Sequence, residues 1–408
     1  MIKRFLTVIM MIMASHLFAL GTAETADFNW QDASWEEILE EADGTEVSFH
    51  MWGGDSAINE WIEGYVAEEL KKRYNVTLNM VPMNALLFVD RLLAEKEAGR
   101  TGGSIDLMWI NGENFKRTKE AEALLGPFAH KLPNFNNYVD PETAKYDSGY
   151  PTNGYEVPYG QAQFVFEYDS AADHGWLPES FASLPQWVRE NPGMFTYPEP
   201  SDFTGSAFIR QVFIAITGGS QQYLEGWDPE LYEKNAPLLW EYLNDIAPYL
   251  WQRGRSYPRE LSVLDSMFER GEVAINMNFT QANAQSRIIE GRYPETVRTF
   301  VMEEGTISNS HFTAIAFNAP NPAGALVLSN LLLDPAVQAS KNDPANWGDF
   351  TVLDMEKLSP QDRARFDAID LGEATLSPDE LKAAAVQEIP SEYLEALQND
   401  WFIHVLEK

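Results

Sequence analysis

Apolar positions along this chain fall into short blocks whose period switches between two and about 3.6. Strand-like runs at 47–52, 76–81 and 105–110 alternate with stretches of helical spacing. In the first such stretch Ile58, Trp61, Ile62, Tyr65, Val66, Leu70 and Tyr74 share one face; the second spans 86–98 and stops at Gly99. A helical lead-in over 25–45 carries Trp35, Ile38 and Leu39, and a further helix runs to about Leu125. This βαβαβα order predicts a parallel sheet with right-handed crossovers.

After Pro127 the composition turns to Pro, Asn, Gly and Tyr, and 127–155 reads as a long ordered loop. The run 157–169 is unusually long for one strand, long enough to leave one domain and enter another. A second α/β block fills 170–300, with helices at 184–189, 203–217, 238–251 and 261–270 and strands at 194–197, 273–278 and 297–302. The extended run 306–317 then returns the chain to the first domain. Helices follow at 322–333 and 335–341, and the Ser-Pro starts at Ser359 and Ser377 mark two more. A last helix, about 392–406, aligns Leu394, Leu397, Trp401 and Val405 for docking. The expected division is residues 24–160 in lobe one, 161–310 in lobe two, and 311–408 as the return to lobe one with the C-terminal helices. Two chain crossings between two α/β lobes make a hinge.

Residues 1–23 are set apart. Lys3 and Arg4 precede the apolar run 5–19, and Ala19-Leu20-Gly21 or Gly21-Thr22-Ala23 offers small residues for cleavage. That order is a secretory signal peptide and places the mature chain in the periplasm. No later apolar run approaches a membrane span, so the mature chain is expected not to be membrane-embedded. The absence of cysteine excludes disulfides, thiolate metal sites and a lipid-anchored N-terminal cysteine. A length of 408 residues with 45% hydrophobic content supports two or three compact units. A formal charge of −33 argues against nucleic acid as a partner and reads as a solvated acidic surface.

Catalytic signatures are missing. The five histidines after the signal show no HExxH or His-x-His spacing, and neither GxSxG nor GxxxxGK[ST] occurs. No cofactor, metal or catalytic residue is expected, although a glycosidase-type carboxylate pair leaves no mark in local spacing. In open α/β sheets ligands sit beyond the carboxyl ends of strands. The strand 105–110 empties into Asn111, Gly112, Glu113 and Asn114, and 47–52, ending at Trp52, into Gly53, Gly54 and Asp55. Asn111, Glu113 and Asn114 suit a cation or sugar hydroxyl, or alternatively cap the next helix. Trp52, Tyr159 and Phe164 offer aromatic faces, or pack in the core. Tyr159 and Gln161 lie in the first crossing, Ser308, Ser310 and His311 in the second. Thr204, Gly205 and Ser206 open a helix whose free N–H groups form an anion site, unless Asp202 or Thr204 caps it. Asn276 and Asn278 end a strand of the second lobe, and Trp347 in Asn346-Trp347-Gly348-Asp349 closes one side or marks a turn.

Four segments together resemble the YnjB-type family: Trp109-Ile-Asn-Gly-Glu-Asn-Phe115, Pro158-Tyr-Gly-Gln-Ala-Gln-Phe164, Phe203-Thr-Gly-Ser-Ala-Phe208 and Trp347-Gly-Asp-Phe-Thr-Val-Leu353. The resemblance runs across nearly the whole mature chain. It implies a two-lobed periplasmic binding protein fold of the larger, type II class, related to thiamine-binding proteins. It also implies delivery of a small-molecule solute to an ABC permease with its ATPase. The expectation is a monomeric solute receptor rather than an enzyme, its ligand a thiamine-like or other charged small molecule. A carbohydrate receptor and an exported hydrolase are the alternatives.

Overall fold

The computed structural model describes residues 28–408; the expected signal segment lies outside the described residues. Helix α1 (Trp35–Ala42) begins at a reciprocal cap, Ser34 with Glu37, and lays Ile38 and Ala42 on the core. Strands β1 (Glu46–Met51), β2 (Thr77–Pro82) and β3 (Leu107–Ile110) are parallel, with β1 central. Between β1 and β2 runs a helix of three segments, Ser56–Glu60, a π turn Trp61–Val66 and Ala67–Tyr74 (together α2). Helix α3 (Ala85–Glu97) links β2 to β3, and α4 (Glu113–Glu120) follows β3.

Strands β4 (Glu156–Gln163) and β5 (Val165–Asp169) are the single long run expected at 157–169, and it does change sheets. β4 pairs antiparallel with the long β8 (Thr306–Ala316) in the first sheet. β5 sits in the middle of a second, antiparallel sheet between β6 (Ile275–Asn278) and β7 (Val297–Phe300). The crossing strands β4 and β8 are thus hydrogen-bonded to each other, and β8 also pairs antiparallel with β3. The first sheet runs β9–β8–β3–β1–β2, with β9 (Ala385–Gln387) at its edge.

Helices α5 (Phe203–Ile216), α6 (Pro229–Ile246), α7 (Leu261–Glu269) and α8 (Asn283–Ile289) build the second lobe. The expected strand at 194–197 is a buried extended segment instead, held by Ala274 N–H donating to the Met194 carbonyl at 2.8 Å. Helices α9 (Pro322–Leu332) and α10 (Pro335–Asn342) return to the core of the first lobe, where Leu326, Val327, Leu331 and Val337 are fully buried.

The C-terminal helix departs from expectation. Helix α11 (Ser391–Trp401) packs on lobe two, not lobe one, so the chain crosses between lobes a third time. Its apolar face, Tyr393, Leu397 and Trp401, together with Val405 in the π turn Phe402–Leu406 that follows, fills an aromatic groove of that lobe. The Trp401 indole donates to the Tyr197 hydroxyl at 3.1 Å, and the Tyr393 ring meets Tyr223 edge-on at 5.0 Å. An indole buried without a partner costs a hydrogen bond, and this groove supplies one.

Candidate functional site

Two parallel strands end side by side at the junction of the lobes. Beyond β1, the Trp52 indole is 37% exposed, and the Gly53 carbonyl accepts from Asn59 Nδ2 at 3.0 Å. Asp55 then caps α2, its Oδ1 accepting from Ala57 N–H (2.8 Å) and Ile58 N–H (3.2 Å). Beyond β3, Gly112 occupies the N-cap of α4 and no side chain caps that helix. Asn111, Glu113 and Asn114 are therefore free of capping duty and half-buried at the cleft rim. Gly112 sits at φ +59°, and its N–H donates to the buried Asp147 carboxylate. Burial raises Asp147 to about 7 in spite of that bond and one from Ser148. The Glu113 carboxyl is raised above its ordinary range by burial, and next by the charge of Glu395 on α11.

Beneath this rim lies a floor of aromatic rings that is buried except at Trp109. The Trp109 centroid is 4.6 Å from His311, 5.6 Å from Tyr159 and 5.7 Å from Trp347. His311 stacks on Trp347 at 5.8 Å, and Trp61 closes the far side of Trp347 at 5.5 Å. Tyr159 and Trp347 are buried, and both the Tyr159 hydroxyl and the Trp347 Nε1 lack a hydrogen-bond partner. A charged group supports the floor. Lys341 Nζ donates to Asp349 Oδ2 and to the Tyr159 carbonyl, each at 2.6 Å, with no side-chain exposure on either ion. Burial lowers the Lys341 pKa against the opposing pull of Asp349, and burial followed by Asp349 lifts the Tyr159 hydroxyl well above its ordinary range. His311 Nε2 lies 3.3 Å from Asp349 Oδ1, which remains without a hydrogen bond. A Cβ on Gly160 would stand 2.2 Å from Asp349 Oδ2, so only glycine lets β4 pass here.

The crossing strands carry the polar groups nearest this floor. Gln161 is exposed, its N–H held by the Phe350 carbonyl at 3.0 Å. Ser308 and Ser310, paired with Gln163 and Gln161, are half-buried. From lobe two, Gln281 Nε2 reaches the Gln161 carbonyl at 2.9 Å, and its Oε1 has no partner. Asn278 Oδ1 accepts from Thr280 N–H at 2.9 Å and fixes the turn that carries Gln281. Phe203, 45% exposed, packs on Phe279 at 4.8 Å. Gly348 N–H turns back to the Lys341 carbonyl at 2.9 Å, and its own carbonyl accepts from Ala282 N–H of lobe two at 3.3 Å. Two ion pairs also span the lobes, Asp55 with Arg287 and Lys116 with Glu392.

Two sequence expectations do not survive. The anion cradle at Thr204, Gly205 and Ser206 is closed by the chain itself. Asp202 Oδ1 takes the Thr204 and Gly205 N–H groups at 2.8 and 3.2 Å, and all three residues are buried. The Pro198 carbonyl lies 2.3 Å from where a Gly205 Cβ would stand, and Ser206 Oγ accepts from Arg210 and Gln398. Asn276 points away from the cleft into lobe two, where its Nδ2 donates to Glu167 and Asp265, each at 2.8 Å. A strand end buried on both faces places its amide among acidic groups that require a donor.

Sequence reasoning passed over Gln281, Arg287 and Lys341, and it named Asp55 and Asp349 only as loop residues, without their partners. Their partners are distant in the chain or, for Lys341 and Asp349, joined by an irregular turn, so spacing carries no signal. Two surface depressions, about 440 Å³ beside Trp240 and His404 and about 330 Å³ under His130 and Asn136, lie away from the cleft. Among the described residues no group of three His, Asp or Glu is placed to hold a metal ion, and no helix is long and apolar enough to cross a membrane.

Two α/β lobes joined by paired crossing strands are the architecture of a type II periplasmic binding protein. The chain belongs to the family of bacterial extracellular solute-binding proteins, which it matches over residues 65–352. Protein YnjB of Escherichia coli (strain K12) is 40% identical over 331 residues, 80% of this chain and 84% of that protein. The fold is shared with the periplasmic binding protein AfuA of Actinobacillus pleuropneumoniae, solved with exogenous fructose-6-phosphate (14% identity, 88% of this chain and 98% of that one, TM-score 0.61). It is shared too with ferric ion-binding protein A of Pasteurella haemolytica (12% identity, 89% and 98%, TM-score 0.60). Family and fold are those of binding proteins for ABC transporters.

Proposed function

We propose that this protein is a monomeric periplasmic receptor that closes its two lobes on one small organic cation and hands it to an ABC permease. It acts by binding alone and catalyses no reaction. The observation that carries the ligand class is the uncapped, half-buried Glu113 beyond β3, which burial and then the charge of Glu395 on the other lobe raise against the opposing pull of Arg117 and Lys116. A cationic group beside Glu113 offsets that charge, while the nearby Lys116 is already paired with Glu392. The exposed Trp52 indole and the half-buried Trp109 ring suit a flat ring, and Asn111, Asn114, Gln161 and Ser310 suit its polar edge. With the 204–206 cradle closed by Asp202, nothing there calls for an anionic group on the ligand. A thiamine-like compound fits this description. A neutral sugar is the second reading, favoured by the amide and hydroxyl rim.

Unfolding and refolding the protein removes any bound solute. Thermal shifts are then measured with thiamine, choline, spermidine, maltose and fructose 6-phosphate. A ligand at 100 times its Kd adds about 2.7 kcal/mol of stability. A shift with cations only supports the proposal; a shift with maltose alone replaces it by the sugar reading. Turnover of chromogenic glycosides or phosphoesters would overturn the assignment to binding.

A further inference from the structure

The ion pair between Asp55 and Arg287 joins residues 232 positions apart and on opposite lobes. Each partner is organised by its own lobe before they meet. Asp55 spends one oxygen on capping α2 and turns the other to the guanidinium. Arg287, on α8, is clamped at Nη1 by both oxygens of Glu290, at 3.0 and 3.3 Å, and leaves Nη2 for Asp55. Behind it stand the buried carboxyls of Glu167 and Asp265, with Asn276, Asn283 and Tyr293 between. The Arg287 side chain is 4% exposed and its Nε has no partner, whereas Asp55 is 16% exposed. The guanidinium is thus desolvated where the two lobes meet, and α2 is the element that covers it from the other side.

We infer that Asp55 and Arg287 form an electrostatic latch that holds the lobes shut across one side of the cleft. This rests on the reading that the lobes hinge. Opening the cleft leaves Arg287 with Glu290 of its own lobe but takes from Asp55 its only cation among the described residues, so the pair favours the closed state without touching the solute. Because both groups are held in position beforehand, little side-chain freedom is lost when they meet, which is the usual drain on ion pairs.

The chain has no cysteine, so Glu97→Cys on lobe one and Lys234→Cys on lobe two give a unique pair of spin labels at exposed sites. Pulsed electron paramagnetic resonance then reads the distance across the cleft, on as-purified and on unfolded-and-refolded protein. Asn is as good an N-cap as Asp, so Asp55→Asn keeps the start of α2 while removing the charge. The expected result is a fall in the closed-to-open ratio of roughly tenfold to a hundredfold. Asp55→Ser, another capping residue, behaves alike, and the exposed control Glu60→Gln leaves the ratio unchanged. Two distance populations whose ratio is the same in wild type and Asp55→Asn overturn the latch. A single population in every form and preparation overturns the hinged reading beneath it.

Discussion

Gly348→Ala tests whether the two lobes meet where the structure joins them. Gly348 adopts φ +79°, and a Cβ there would stand 2.9 Å from the Ala282 Cβ and 3.1 Å from Ser286 Oγ, both on the wall of lobe two. Carbon atoms pack at about 3.5–4.0 Å, so the methyl overlaps its neighbour by several tenths of an ångström. Neither neighbour moves easily, since Ala282 has no rotamer and Ser286 Oγ is tied to the Ala282 carbonyl at 3.1 Å. The left-handed backbone costs alanine about 1–2 kcal/mol whether the lobes are open or shut. The overlap, roughly 1–3 kcal/mol by analogy with overpacked cores, exists only when they close. Two assays separate these costs. Urea unfolding of solute-free protein should show a loss of about 1–2 kcal/mol. Titration calorimetry with the solute found by the thermal screen should show Kd raised about 5- to 150-fold. A destabilised protein that binds its solute as tightly as wild type would refute the reasoning, because it would mean that 348 and 282 are not brought together by closure.

Other outcomes follow from single groups. Glu113→Gln removes the half-buried charge at the rim and should weaken a cationic solute by about tenfold or more while leaving a neutral one unaffected, read by the same calorimetry. Trp401→Ala empties a fully buried site in lobe two and strands the Tyr197 hydroxyl, a loss of about 3–5 kcal/mol in urea unfolding that a truncation at an exposed position would not give. Burial, with Arg91 adding and Glu95 opposing, lowers His50 to about 4, so the folded protein keeps it neutral where the unfolded chain takes up a proton. Its stabilising contribution is complete above pH 6.5 and disappears as pH falls through about 4. Wild type should therefore lose on the order of 2–3 kcal/mol across that window relative to His50→Gln, and parallel pH profiles would contradict it.

The features legible in the sequence are those set by local period and local loops. The long run 157–169 signalled a strand changing sheets because no single strand needs that reach, and β4 and β5 divide it between the two sheets. The loop Asn111–Asn114 declared itself by following an apolar strand. At Thr204-Gly205-Ser206 the sequence left an anion site and a cap by Asp202 or Thr204 both open, since they use identical N–H groups, and the fold gives those groups to Asp202. The amphipathic face of α11 announced that the helix docks, but chain order assigned it to lobe one; the indole of Trp401 and the hydroxyl of Tyr197 place it on lobe two. Arg287 carried no signal in the sequence because its partner Asp55 comes from the opposite lobe.

Small-angle X-ray scattering of the refolded, solute-free protein, titrated with the compound that raises its melting temperature, tests the central claim most directly. A receptor that shuts on its solute shrinks, so the radius of gyration should fall as the site fills and level off at one equivalent. A radius that stays constant through saturation would contradict closure of one lobe upon the other.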